Sequence, residues 1–200
     1  MKRHIHLATA AVALALITAA LPAAAAAAPG DLDPTFGSGG KVTTDVGGSD
    51  GAQAVAIQGD GKVVAAGLGN FAGPGTGDFA LARYNPDGSL DTSFGSGGKV
   101  TTDFGGFDAA SAVAIQPDGK IIAAGRSGSG DFALARYNPD GSLDSSFGSG
   151  GKVTTDFGGF DSAFGVALQA DGKIVAAGFQ ATSTQRGTDI AVARYLDSVP

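Results

Sequence analysis

The residues that could carry chemistry in this sequence are almost all aspartates. Every acidic residue is Asp, Glu and Cys are absent, and the two histidines, His4 and His6, both lie in the apolar N-terminus. Beyond that terminus, general-base catalysis by His, nucleophilic Cys, disulfides and the usual zinc sites are excluded. Paired carboxylates can still perform acid–base work on sugars, and Asp108 and Asp161 are the first candidates. No catalytic residue is assigned from the sequence.

Oxygen-bearing side chains alternate in the segment NPDGSLD, which occurs twice. Calcium loops use this spacing around a Gly turn, so calcium is the one cofactor that the sequence suggests. However, Arg83 or Arg136 stands two residues before the Asn, where such loops usually carry Asp, and no bidentate Glu follows. Asx-type turns explain the same residues. The candidate metal ligands are Asn85, Asp87, Asp91, Asn138, Asp140 and Asp144.

The first 28 residues have the pattern of a secretory signal peptide. Lys2 and Arg3 precede an apolar run that Pro22 ends, and an alanine tract follows. We therefore expect a secreted protein, extracellular or periplasmic, with no membrane anchor, because no second long apolar stretch follows. Removing Lys2 and Arg3 takes the formal charge from −6 to −8. A chain this acidic, without a basic cluster, predicts no nucleic-acid partner.

Three internal repeats occupy the remainder of the chain, at residues 32–89, 90–142 and 143–200, within one domain at 29–200. Each repeat predicts four short strands, which in the first unit are residues 41–46, 54–58, 62–66 and 79–84. An Asp-Gly pair between the second and third strands of each unit predicts a tight hairpin. The strands are apolar on both faces, which indicates sheets that are covered on both sides.

These features predict an all-β fold of β-propeller type, in which small four-stranded sheets called blades pack face to face around an axis. A β-solenoid is the rival, although its repeats are much shorter. The motifs LDxxFGxGGKVTTDFGG, AVAIQPDGKIIAAG and DFALARYNPDGSLD resemble the delta-60 repeat, an uncharacterised bacterial β-propeller repeat family. The resemblance covers residues 32–195 and brings no catalytic residues.

By comparison with other propeller repeats, we expect each blade to begin at the strand before the Asp-Gly turn. The blades are then residues 54–103 and 112–156, with a partial blade from Gly165. Residues 41–46 become a leftover outermost strand, and the last blade lacks its own. Since propellers have four to eight blades, we expect a partial propeller that a homodimer completes to six blades. The alternative is a single chain that closes on itself.

The repeats differ most in the loops before the final strand of each unit and in the segments after the KVTTD strands. Variable loops on a constant scaffold are where binding sites usually occur. The candidate ligand-binding residues are Phe71, Phe107, Asp108, Arg126, Phe160, Asp161, Gln180 and Arg186. By contrast, one arginine recurs in every unit, as Arg83, Arg136 and Arg194, and we expect it to form a structural pair with an aspartate. The aspartates that also recur in every unit are Asp45, Asp103 and Asp156.

The leading functional hypothesis is a secreted, non-catalytic binding or scaffold module whose partner is a protein or a glycan. One alternative is a propeller-type glycan hydrolase or lyase that uses Asp residues, and another is a calcium-stabilised envelope or matrix protein.

Overall fold

The computed structural model describes residues 28–181 and 187–197 of the 200-residue chain. The predicted signal peptide therefore lies almost entirely outside the described residues. The folded unit begins at Leu32. The described residues form strands and turns without any helix, and so contain no helix that could cross a membrane.

Eleven strands are present in the described residues, and they are arranged as three successive antiparallel sheets. The first sheet contains β1 (Ser49–Ile57), β2 (Val63–Phe71), β3 (Asp78–Tyr84) and β4 (Lys99–Thr102); the second contains β5 (Ala109–Ile115), β6 (Ile121–Arg126), β7 (Phe132–Tyr137) and β8 (Lys152–Thr155); the third contains β9 (Phe160–Leu168), β10 (Ile174–Ala181) and β11 (Thr188–Tyr195).

Strand order confirms the predicted blades. Each sheet begins at the strand before an Asp-Gly turn, and in the first two sheets the KVTTD strand of the following repeat is added as the fourth strand. Gly61, Gly119 and Gly172 occupy these turns with positive φ, the conformation that a tight hairpin requires. The third blade has three strands in the described residues, so the prediction of four strands per blade holds for the first two only.

The prediction of a strand at residues 41–46 is wrong. Only Lys41 forms an isolated bridge, with Gly37, and the remainder of the segment pairs with no strand. The residues nevertheless alternate between half-buried and exposed, with Val42, Thr44 and Val46 turned toward the protein. A strand needs a neighbour for its hydrogen bonds, and this segment has none beside it.

Two apolar cores hold the blades together face to face. Phe79 and Leu81 of the first blade pack with Ile121 and Tyr137 of the second. In the same way Phe132, Leu134 and Ile122 of the second blade pack with Ala163 and Ile174 of the third. The second sheet is therefore covered on both sides, which agrees with strands that are apolar on both faces, whereas the first and third sheets are each covered by a neighbouring blade on one side.

The two outer faces of the three-blade arc are exposed. Val55 and Ile57 on the first strand of the first blade are 65% and 72% exposed. On the last strand of the third blade, Ile190 is 89% and Val192 is 55% exposed. The fold therefore ends at two faces on which large apolar side chains stay exposed in the described chain.

The buried arginines have different acidic partners from those considered from the sequence. Arg83 pairs with Asp91 at 2.8 Å, and Arg136 pairs with Asp144 at the same distance. Asp103 and Asp156 lie at the opposite end of the blade, because Phe79 pairs with Thr102 and places Asp103 near Asp78. The expected pairs exist, but each acid comes from the loop that directly follows the arginine strand. Arg194 is exposed.

Candidate functional site

The variable loops lie together at one end of the blades, which we call the variable-loop face. The second strand of each blade ends there, and the first strand of each blade begins there. The face consists of residues 45–50, 68–78, 103–109, 126–131, 156–162 and the described part of 178–189. The loops at the opposite end are the Asp-Gly hairpins and the repeated NPDGSLD segments.

Aromatic rings and one arginine form a continuous row that crosses this face and ends within the first strand of the third blade. Phe71 contacts Phe107 edge to face, with ring centroids 5.7 Å apart. The Arg126 guanidinium lies 4.5 Å from the Phe107 ring and 5.4 Å from the Phe160 ring. Phe160 continues the row to Phe179, at 5.8 Å. Phe164 ends it, 5.4 Å from Phe179. We call these six residues the aromatic–arginine row.

The scaffold positions the row by repeating one local structure at each blade junction. Phe107 and Phe160 follow the fourth strand of one blade and precede the first strand of the next. Their rings pack above Gly77 and Gly130, where a Cβ atom would come within 3.3 Å and 3.0 Å of the ring. The next residue donates its amide to the carbonyl of the same glycine, Asp108 to Gly77 and Asp161 to Gly130. Each ring is thus held against the preceding blade.

Arg126 supplies the charge of the row. Its side chain is half-buried between the two rings, and among the described residues no carboxylate lies within salt-bridge distance of it. A guanidinium stacked on rings keeps its N–H groups at its edge, where they can donate to a ligand. Phe160 and Phe164, which follow Arg126 along the row, are 44% and 60% exposed, so apolar surface is available on that side of the charge.

Asp108 and Asp161, two of the predicted ligand-binding residues, are completely buried beneath the row. The Asp108 carboxylate accepts the amides of Phe104 and Gly128, at 2.5 and 2.6 Å. Asp161 accepts the amide of Phe157 at 2.7 Å. Asp50, at the same position of the first blade, accepts the amide of Val46 in the same way. These aspartates therefore close the turn that carries the phenylalanine, and they present no surface to a ligand.

Each buried aspartate also belongs to an acidic cluster. Carboxylate oxygens of Asp78, Asp103 and Asp108 lie within 4.8 Å of one another, and Asp131, Asp156 and Asp161 repeat the arrangement at the next junction. Burial, and then the nearby Asp103 carboxylate, raise the pKa of Asp108, while the two backbone amides oppose that rise. Three oxygens are half or fewer of the six to eight that calcium takes. Asp108 and Asp161 lie in separate clusters, one at each blade junction.

The predicted calcium loops serve as turns. Asp87 accepts the amide and hydroxyl of Ser89, and Asn85 donates to the same hydroxyl. The second copy repeats these bonds with Asn138, Asp140 and Ser142. Asp91 and Asp144 face away from these turns and pair with the buried arginines.

Two candidates remain at the third blade. Gln180 lies on the variable-loop face and donates to the carbonyl of Gly158 at 3.2 Å. Arg186 lies outside the described residues. The structure thus brings together Phe71, Phe107, Arg126 and Phe160 of the predicted set.

Sequence reasoning missed Phe164 and Phe179, which complete the row. Phe179 stands where the first and second blades have Leu68 and Arg126, at a position that differs in every repeat. Phe164 replaces the polar residues Gln53 and Ser111 of the earlier repeats. A large apolar residue at an exposed position where the other repeats are polar was the available signal.

Comparison with known protein families agrees with the fold. Three segments, residues 58–94, 116–147 and 169–196, match a family described as a "Domain of unknown function (DUF5122) beta-propeller". The matches together cover just under half of the chain. Each begins at an Asp-Gly hairpin and includes the second and third strands of one blade. No curated protein matches the chain. The chain is therefore a β-propeller repeat protein, with three units that match a propeller family of unknown function.

Proposed function

We propose that this protein is a secreted, non-catalytic binding module that takes a glycan on the aromatic–arginine row. The observation that carries the proposal is the stacking of Arg126 between Phe107 and Phe160, with further rings on either side. The finer family assignment, to the delta-60 repeat, stays a prediction from the motifs.

The chemistry of the row favours a glycan over a peptide. Sugar rings have flat apolar faces that can lie on phenylalanine rings, and their hydroxyl or carboxylate oxygens accept hydrogen bonds from a guanidinium. A row that extends across all three blades suits a linear chain of several sugar units. The chain also carries a net charge of −6, so an extended acidic partner, whether protein or glycan, would be repelled.

Catalysis has less support than binding. A glycoside hydrolase needs two carboxylates that reach the scissile bond. On this face the two aspartates that directly follow row residues in the sequence, Asp108 and Asp161, are buried and bonded to backbone amides. We also propose that residues 1–28 direct export, which places the row outside the cytoplasm, where glycans are present.

An array of immobilised oligosaccharides and peptides, probed with and without calcium, tests the function. We expect oligosaccharides to bind without product release. Phe160→Ala and Arg126→Ala should each lower the affinity at least about tenfold, which corresponds to about 1.4 kcal/mol of binding free energy. Lys173→Ala is the charge-matched control, because Lys173 lies at the opposite end of the third blade beside Asp171.

Four outcomes would contradict the proposal. Binding that survives both variants would place the ligand elsewhere, and peptide binding alone would exclude a glycan. Release of shortened sugars would indicate a hydrolase or lyase, with Asp108→Asn as the next variant. Melting that depends on calcium would favour the calcium-stabilised envelope or matrix protein.

A further inference from the structure

We propose that two copies of this chain close head to tail into a six-blade ring, in which residues 41–46 of each copy form the fourth strand of the partner's third blade. The proposal is independent of the glycan-binding function. It rests on the two internal blade junctions, which show what the two exposed ends of the arc are built to contact.

The N-terminal segment lies on the first blade as each fourth strand lies on the following blade. The Tyr84 hydroxyl bonds to Thr44 at 2.7 Å. At the two internal junctions, Tyr137 bonds to Thr102 of β4 at 2.8 Å, and Tyr195 bonds to Thr155 of β8 at 3.0 Å. Thr44 therefore occupies the position of a fourth-strand threonine of a preceding blade.

A lysine contact repeats the same relationship. Lys99 donates to the carbonyl of Asp45 at 2.9 Å, as Lys152 donates to the carbonyl of Asp103 at 2.9 Å. The glycine turn before the segment agrees. The amide of Gly37 donates to the carbonyl of Asp87 at 2.7 Å, as the amide of Gly95 donates to the carbonyl of Asp140 at 2.7 Å. The chain thus places the end of a preceding blade on its first blade, although the other strands of that blade are not beside it.

At the other end of the arc, β11 is an edge strand with an apolar face. Ile190 and Val192 are exposed, whereas Phe132 and Leu134, at the same positions of the second blade, are completely buried. In the first blade, Phe79 pairs with Thr102 and Leu81 with Val100. The equivalent register pairs Ile190 with the partner's Thr44 and Val192 with the partner's Val42. An unpaired, apolar edge is a template for pairing with another chain.

Polar groups at the two ends are complementary as well. Arg136 donates from Nη1 to the carbonyl of Asp197, and Arg83 donates from Nη1 to that of Pro139. Arg194, the third member of this series, is exposed, and the equivalent acceptor is the carbonyl of the partner's Pro86. Asp50 is exposed, while Asp108 and Asp161 are buried by the preceding blade, so ring closure would also bury Asp50.

The number of copies follows from the number of blades. Propellers close with four to eight blades. Each chain provides three blades, so two copies give six, while one copy gives too few and three copies too many. A two-fold axis makes both junctions of the ring identical and leaves neither apolar face exposed.

Light scattering and a designed cross-link test the proposal together. We expect the purified protein to have twice the mass of one chain at micromolar concentration. The chain contains no cysteine, so V42C/V192C introduces one pair at the proposed junction. Under oxidation we expect a covalent dimer on non-reducing gels. L81C/V100C is the matched control, because the same positions face each other within one chain and should form a disulfide at monomer mass.

A third variant, I190D/V192D, tests the apolar face without disturbing the core of one chain, because both side chains are exposed in the arc. We expect this variant to be a folded monomer. A wild-type monomer, an intramolecular 42–192 disulfide or a ladder of higher polymers would each overturn the closed dimer. Dimers that persist in I190D/V192D would also overturn it, by showing that another surface associates.

Discussion

Arg136 connects the second blade to Asp197, two residues beyond the last strand of the third blade. It is 2% exposed, pairs with Asp144 at 2.8 Å and with Asp197 at 2.7 Å, and lies 4.7 Å from the Phe147 ring. Asp144 is itself buried, so removing the arginine leaves a carboxylate without its main compensating charge.

We expect Arg136→Ala to lower the free energy of unfolding by about 3 kcal/mol. Lys173→Ala, which breaks an exposed pair with Asp171, should lower it by less than about 1 kcal/mol. Denaturant unfolding measures both variants. Equal effects of the two substitutions would show that Arg136 does not act through a buried pair.

Asp91 makes stability depend on pH. Hydrogen bonds from the Ser93 hydroxyl, and then from its amide and from Lys62, lower the pKa of Asp91 well below its ordinary value of 3.8, against an opposing effect of burial. A carboxylate whose pKa is lower in the folded state than in the unfolded state stabilises the fold at pH values above its unfolded-state pKa. This contribution is lost as the pH falls from the unfolded-state pKa through the folded-state pKa.

We therefore expect Asp91→Asn to be less stable than the wild type at pH 7, and the gap to narrow below about pH 3.8. Thermal unfolding between pH 7 and pH 2 measures the gap. Asp87→Asn is the comparison: the Ser89 hydroxyl and amide also lower the pKa of Asp87, but this turn is exposed and has no buried arginine beside it, so we expect a smaller pH-dependent gap. A gap that stays constant with pH would contradict the assignment.

The sequence was enough to predict that the recurring arginines are structural, but not which acidic residues they pair with. A recurring Arg on an apolar strand indicates a buried charge that needs an acid. Which acid it takes depends on the register between the third and fourth strands, and that register places Asp103 at the wrong end of the blade for Arg83. Repetition correctly separated the structural Arg83 and Arg136 from the single Arg126, but it did not reveal that Asp108 and Asp161 are buried.

At the scale of elements, the first strand of each blade carries a bulge opposite a glycine. The register shifts between Ala110 and Ala112, opposite Gly125 and Ala124. A Cβ atom on Gly125 would lie 1.9 Å from the carbonyl oxygen of Ala109. Gly67 and Gly178 have the same clash in the other blades, so the glycine is required by the close approach of the two backbones.

We expect Gly125→Ala to destabilise the protein by about 3 kcal/mol, the upper end of the usual cost of overpacking. Gly165→Ala is the control: its nearest neighbour would be 4.0 Å away, and the other blades have Ala54 and Ala112 at this position. Denaturant unfolding of both variants measures the difference. A Gly125→Ala variant as stable as Gly165→Ala would show that the bulge adjusts without strain.

Strands were predictable where local pattern and partner coincide. The apolar runs around each Asp-Gly turn form hairpins, and their partners lie close by in the sequence. Residues 41–46 have the same sequence pattern as β4, yet they form no strand, because their partner would be the third strand of a preceding blade. The pattern of apolar residues specifies which face of a segment is buried, whereas its hydrogen bonding depends on whether a neighbouring strand is present.

At the scale of the whole molecule, three nearly identical units produce an arc with two unlike ends. One end presents the first strand of a blade with a detached fourth-strand segment, and the other presents a three-stranded sheet without that segment. Repeat number and blade boundaries could be predicted from the sequence. The row across three junctions could not, because it joins residues from different repeats that only the stacking of blades brings into contact.

Hydrogen exchange at the backbone amides of residues 41–44 tests closure of the ring most directly. In the closed dimer alternate amides of this segment pair with the partner's β11, so we expect the same pattern of protection as at Lys99–Thr102 in the first blade, and loss of that protection in I190D/V192D. Rapid exchange at residues 41–44 in the wild type, with Lys99–Thr102 protected, would contradict a completed third blade.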